Sequence, residues 1–270
     1  MEVIARIHND FPTKFGLPRQ SGLAPSLRAK IVFEPAYRVP EALRGLEGFS
    51  YIWLIWGFSA ISGVPALQRA AEPFQTQRTA ASAASGGRCE SQCDSSPERQ
   101  GMGQSPSKHW SPTVRPPRLG GNVRMGVFAT RSPFRPNPIG LSSVRLESIE
   151  DDGENGRVLI VSGADLMDGT PIYDIKPYLP GVDAHPDASD GFVGAHPQTL
   201  LEVEIAPELA AALSAGQLAA LREILAQDLR PAYHAASASA SASAPSRTYG
   251  FTYAGRDIHF TVEDNLIKAF

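Results

Sequence analysis

Tyr51–Phe58 reads YIWLIWGF and is the longest apolar run in the chain. It falls far short of the roughly 20 residues a bilayer crossing needs, so it is no membrane span and no membrane partner is expected. Its aromatic and β-branched content marks it instead as a buried strand. Working outward, EVIARI (2–7) and AKIVFE (29–34) are two more short β-rich runs, separated by Pro- and Gly-rich turns. Downstream, MGVFATRS (125–132), LSSVRLESI (141–149), RVLIVSGA (157–164) and TPIYDI (170–175) continue the series. No sustained helical period interrupts them over residues 1–185, which predicts a mainly β N-terminal unit, a small barrel or curled sheet.

That series is broken once. From about 62 to 107 the chain is poor in β-branched and aromatic residues and cannot bury enough area to offset its ordering entropy, so a solvated insertion is expected there. Both cysteines of the chain, Cys89 and Cys93, fall inside it. A structural zinc site needs four ligands, and the histidines are scattered without ligand spacing, so no metal is expected. The 270 residues suffice for two domains with their own cores, and 42% apolar with 20% charged residues excludes disorder or a fibre for the chain as a whole. The start, MEVIARIHNDF, has no basic region followed by an apolar stretch, which predicts a cytoplasmic protein.

The character changes after residue 190. TLLEVEI (199–205) reads as a strand, and LSAGQLAALREILAQDL (213–229) sets Leu218, Leu221, Ile224 and Leu225 on one helical face, with Ser214 as N-cap. Residues 235–244 are all Ala or Ser and read as a tether. Beyond them, RTYGFTYAGRDIHFTVED (247–264) alternates around Ala254-Gly255 as a two-residue hairpin does. Residues 190–270 are therefore expected to form a small α+β domain behind a barrel domain of residues 1–185.

Chemistry concentrates in three stretches. Between Lys108 and Leu146 stand seven cations, among them Arg124, Arg131 and Arg135, and no acid, although the whole chain carries a net charge of -3. Such segregation makes a one-signed field that attracts a polyanion, nucleic acid above all; a solvated basic face is the alternative. Pro133, Pro136 and Pro138 stiffen this segment, so its guanidinium groups, with Asn137, are held at fixed spacing for phosphates or carboxylates, or else form a barrel corner. In ADLMDGTPIYDIKPYLP, the carboxylates Asp165, Asp168 and Asp174 flank a turn and a strand beside Lys176, and are expected around the sheet rim. The third stretch is the loop FGLPRQSG (15–22), with Arg19, Gln20 and Ser21 set between glycines and a proline. The chain has no G-x-G-x-x-G after a strand and no strand-helix alternation, which argues against a Rossmann nucleotide site.

Together KFGLPRQSGL (14–23), TVRPPRLGGNVRMGVFATRSPFRPNPIGLSSVRLE (113–147) and DLMDGTPIYDIKPYLP (165–180) resemble the TsaA-like or YaeB-like proteins, the TrmO family. The resemblance covers about residues 3–60 and 109–185, and LAQDLRPAYH with the final hairpin is similar to the family's C-terminal domain. It implies a TsaA-like, non-Rossmann β-barrel that works as a homodimer. The implied reaction uses S-adenosyl-L-methionine to methylate N6 of threonylcarbamoyladenosine 37 in tRNA. Carried over residue by residue, it implies cofactor contacts at Arg19, Gln20, Ser21, Arg131, Leu141, Ser162, Gly163, Ala164 and Asp165. Where many members have His-Gln after the aromatic strand this chain has Ser59-Ala60, so Ser59 stands at a position that departs from the pattern.

Methyl transfer needs an in-line, desolvated approach rather than a battery of acids and bases. The urea-like target nitrogen must still lose a proton, for which Asp168 or Asp174 is the candidate base. Arg124, Arg135, Asn137 and Lys176 are the candidate substrate contacts, Lys176 or an arginine for the threonyl carboxylate. A non-catalytic RNA- or cofactor-binding module, and a methyltransferase for another substrate, are the competing readings.

Overall fold

A computed structural model of the chain describes residues 1–58, 110–119, 123–196, 199–230 and 247–270. Ser59, the stretch 62–107 with Cys89 and Cys93, and the tract 235–244 lie outside them. The strands, in chain order, begin with β1 (Ala5–His8), β2 (Arg28–Phe33), β3 (Tyr51–Gly57), β4 (Thr113–Val114) and β5 (Met125–Gly126). They continue with β6 (Ile139–Asp151), β7 (Arg157–Ser162), β8 (Pro171–Pro177), β9 (Glu202–Ile205), β10 (Tyr249–Tyr253), β11 (Arg256–Glu263) and β12 (Leu266–Ala269). Among the described residues three α-helices follow the barrel strands: α1 (Pro180–Asp183), α2 (Pro207–Ala211) and α3 (Ala215–Ala226).

Six strands close into a barrel in the order β1-β2-β7-β6-β3-β8, with β8 returning to β1 through Ala5 opposite Ile172. All its pairings are antiparallel. Closure removes the unpaired edges that an open sheet of this size would expose. Strand alternation fills the interior: Ile52, Leu54 and Trp56 of β3 point inward with Ser142, Val144 and Leu146 of β6. The opening stretch is thus buried on one face only. Tyr51 is 44% exposed, and the outward Trp53 lies 5.5 Å from Tyr178 and donates its indole N–H to Asp183 at 3.0 Å. Residues outside the barrel cover that face, which is why an alternating strand reads as continuously apolar.

MGVFATRS differs from its expected strand. Only Met125–Gly126 extends, and a 3-10 turn takes over at Val127–Ala129. Side chains explain the change, since the Thr130 hydroxyl donates to the Val127 carbonyl at 2.9 Å and Arg135 donates to the carbonyls of Val127 and Thr130 at 3.1 and 2.7 Å. Such local bonds compete with a strand ladder for the same carbonyls.

The C-terminal sheet runs β10-β11-β12-β9, with β12 and β9 parallel. Helix α3 covers it by Ala220, Leu221, Ile224 and Leu225. Ser214 caps the helix in a reciprocal box with Gln217, as its side chain predicts. The hairpin forms where expected, with Ala254 and Gly255 both at positive φ (50° and 71°), the geometry of the primed turns. Phe11, Ala24 and Leu27, from the loop after β1, are buried in this second core, and Ser26 donates its amide and hydroxyl to Glu223 of α3 at 2.8 and 2.7 Å.

Candidate active site at the barrel rim

Strand register fixes one end of the barrel as the meeting point of the chemistry-bearing loops. Arg28 faces Ser162, Arg6 faces Pro171, and Gly57 faces Ile139, so the loop after β1, the segment after β7 and the segment entering β6 leave the barrel together. The loop after β1 is tied to the segment after β7 by the Gly22 amide donating to the Gly163 carbonyl at 2.8 Å, while the Gly163 amide donates to Leu27 at 2.9 Å. Gly163 holds φ 77°, a left-handed backbone that favours glycine, although a Cβ there would meet Gly22 only at an ordinary contact distance of 3.4 Å.

At this rim Arg131 donates to the Gln20 side-chain oxygen at 3.2 Å. Asp165 stands beside them, held by the Ser142 hydroxyl at 2.5 Å and by backbone hydrogen bonds from Ser21 and from itself. Burial holds the Asp165 carboxyl above the usual carboxylate range, with the Ser142 bond and the Arg131 charge pulling it the other way. Behind it, the Trp56 indole donates to the Ser142 oxygen at 2.9 Å, so a chain of three side chains runs from the barrel interior to the rim. Sequence reading missed Ser142 and Trp56. The only trace they leave is a serine at an inward position of β6, where its neighbours are apolar.

Other expected residues scatter. Leu141 lies on β6 next to the rim and is 57% exposed. Ala164 is buried, and Ser162, also buried, gives its hydroxyl to Glu147 at 2.8 Å. Arg19 turns toward the C-terminal unit, with Asp228 and Arg230 carbonyls at 3.5 and 3.4 Å. Arg124 is exposed and donates to Thr113 at 2.8 Å, Asn137 is exposed, and Arg135 braces the Val127–Thr130 turn. Asp168 is at the rim, within 3.2 Å of the His8 ring and accepting from the Asn9 amide.

Asp174 and Lys176 depart from the expected rim position. They lie along β8 as it runs toward Pro177 opposite Ile52, paired with each other at 3.3 Å, and Asp174 lines a groove with Phe33, Tyr37 and Leu43 at the other end of the barrel. Alternation along a strand, not nearness in sequence to Asp165, sets their place. Among the described residues no group of three or more His, Cys, Asp or Glu could hold a metal ion, and no helix is long and apolar enough to cross a membrane.

Fold and rim define a small closed β-barrel protein whose polar site is assembled from three loops at one end, a class apart from the doubly wound nucleotide folds. The description tRNA-methyltransferase O N-terminal domain matches residues 6–84 and 101–184, and the TrmO C-terminal domain matches 198–270. A tRNA (adenine(37)-N6)-methyltransferase of Escherichia coli is 38% identical over 238 residues, 86% of this chain and 82% of that one. A putative S-adenosylmethionine-dependent methyltransferase of Pseudomonas aeruginosa is 35% identical over 264 residues, 95% and 90% of the two chains. The crystal structure of TrmO from P. aeruginosa superimposes with a TM-score of 0.65 at 30% identity, covering 100% of this chain and 95% of the other. The chain belongs to the tRNA-methyltransferase O family.

Proposed function

We propose that this chain transfers the methyl group of S-adenosylmethionine to N6 of threonylcarbamoyladenosine 37 in tRNA. The observation that carries the reading is Arg131 meeting Gln20 beside Asp165, at a rim built from segments far apart in sequence. The donor set suits the cofactor's groups: Arg131 a carboxylate, Asp165 an ammonium or a hydroxyl, Gln20 and Ser21 further hydroxyls, and exposed Leu141 an apolar ring face. When bound, the cofactor supplies an electrophilic methyl on a sulfonium.

The chain's part is to hold the base, exclude water and fix the line of attack, which is where proximity lowers the barrier. Asp168, at the rim beside His8, is the proposed acceptor of the N6 proton, whereas Asp174 lies off the rim along β8. An arginine of the rim is the proposed partner of the threonyl carboxylate, since Lys176 lies away from the rim along β8. Arg124 and Asn137 are exposed for the anticodon-loop backbone, whereas Arg135 is engaged with its own loop. The reading includes a two-domain chain, a homodimer and a cytoplasmic location, the dimer to be checked by light scattering. Methyl transfer from labelled S-adenosylmethionine to threonylcarbamoylated tRNA, with Arg131→Ala alongside, is the direct test. Transfer that Arg131→Ala abolishes supports the reading; no transfer by the intact chain, despite cofactor binding, overturns it.

A further inference from the structure

Phe128 is the most exposed large apolar side chain of the described residues, at 70%, and it does not sit on a loose loop. Its neighbour Val127 is buried at 1%, and the turn Val127–Ala129 is braced by Thr130 and Arg135. The Val127 amide donates to Pro112 at 2.9 Å and the Ser111 amide to Phe134 at 3.1 Å, which fastens the Trp110–Thr113 segment to the same lobe. In consequence the Trp110 ring lies 6.4 Å from the Phe128 ring at an interplanar angle of 24°, and the Arg135 guanidinium lies 5.4 Å over the Phe128 ring. Two aromatic planes and a guanidinium plane thus meet at the surface, with Phe128 exposed and Trp110 and Arg135 half-buried.

We infer that Phe128, with Trp110 and Arg135, is a stacking platform for an unpaired base of the RNA substrate, seated next to the rim that Arg131 enters three residues later. The inference rests on the tRNA reading above for the identity of the RNA. Unstacked bases of single-stranded loops are taken up on aromatic faces and arginine planes, a sequence-tolerant contact that suits the flank of a target base withdrawn from its stack. Charge selects this occupant over a second copy of the chain. Arg115, Arg124 and Arg131, in the same segment of chain as the rings, are exposed, and the stretch from Lys108 to Leu146 has no acid. A two-fold contact through this lobe would oppose like charges, whereas RNA phosphates neutralise them.

Fluorescence anisotropy with a labelled anticodon stem-loop RNA, unmodified at adenosine 37, tests this at one fixed salt concentration. Phe128→Ala should weaken binding about 5- to 150-fold, the range that removal of one base-aromatic stack gives. Phe128→Trp should retain it, and the salt dependence of binding should stay that of the unaltered chain, because no phosphate contact is removed. Melting temperatures of both variants establish that they fold. Unchanged affinity in Phe128→Ala overturns the platform, as does a change of oligomeric state by light scattering, which would make the patch an interface between copies. If the unaltered chain binds the stem-loop through Phe128 yet methylates no tRNA, the platform stands and the proposed activity falls. If methylation proceeds and Phe128→Ala binds normally, the platform alone falls.

Discussion

Ser142→Ala tests the side-chain relay that runs from the barrel interior to the rim. Ser142 is 1% exposed; its hydroxyl donates to Asp165 at 2.5 Å and accepts from the Trp56 indole at 2.9 Å. Losing it removes a hydrogen bond to a carboxyl group, worth about 1.5–3 kcal/mol, and strands a buried indole N–H, which costs about 1–3 kcal/mol. Both effects pass through one oxygen and do not add in full, so the expected loss is ~2–4 kcal/mol. For an ordered body of this size that lowers the melting temperature by roughly 5–15 °C.

The pH dependence has a definite sign. Burial holds the Asp165 carboxyl above its usual range, and the Ser142 bond is the largest influence opposing that rise. A carboxyl whose folded-state value is raised loses stability as pH rises through that value, because the folded state gives up its proton less readily than the unfolded chain. Removing Ser142 raises it further, so the deficit should be smaller at about pH 5 than at about pH 8. Scanning calorimetry at both conditions measures it. Ser148→Ala, which removes an exposed hydroxyl bonded to Glu150 at 2.6 Å, is the control, with an effect within about 0.5 kcal/mol. A deficit under about 1 kcal/mol, or one equal at both pH values, would refute the reasoning.

Gly140→Ala would place a Cβ inside the Trp56 indole, so the ring must shift at about 1–3 kcal/mol, read as a lower melting temperature with altered tryptophan fluorescence. Unchanged fluorescence would refute the close approach. Glu223→Ala removes both acceptors for Ser26; amide exchange across residues 23–27 should quicken and stability fall by about 1–3 kcal/mol, and unaltered exchange would show that the clamp does not hold the loop. Lys176→Ala breaks only an exposed pair with Asp174, so stability should change by less than about 1 kcal/mol. The same variant should leave the preference for threonylcarbamoylated over unmodified tRNA unchanged, because Lys176 lies away from the rim, and a narrowed preference would return Lys176 to the substrate site.

Local chemistry made much of this protein legible as a sequence. The six barrel strands announce themselves by apolar runs between turn residues, α3 by a 3.6-residue period behind Ser214, and the hairpin by Ala254-Gly255, because each depends on neighbours within a few residues. MGVFATRS failed as a strand because its carbonyls are claimed by the Thr130 and Arg135 side chains, the latter from several residues away. The site itself was decided by barrel closure. Gln20 and Arg131 are 111 residues apart, and Ser142 and Asp165 are 23 apart, yet register delivers all four to one rim, while the same register carries Asp174 and Lys176 away along β8. Composition likewise marked the stretch around Arg135 as basic but not where its guanidinium points, since that depends on which carbonyls the folded turn leaves open. Sequence by itself determined which elements form, because hydrophobic period and turn propensity are local. Only the tertiary structure decided which side chains meet, because strand pairing around a closed barrel is set by the whole chain at once.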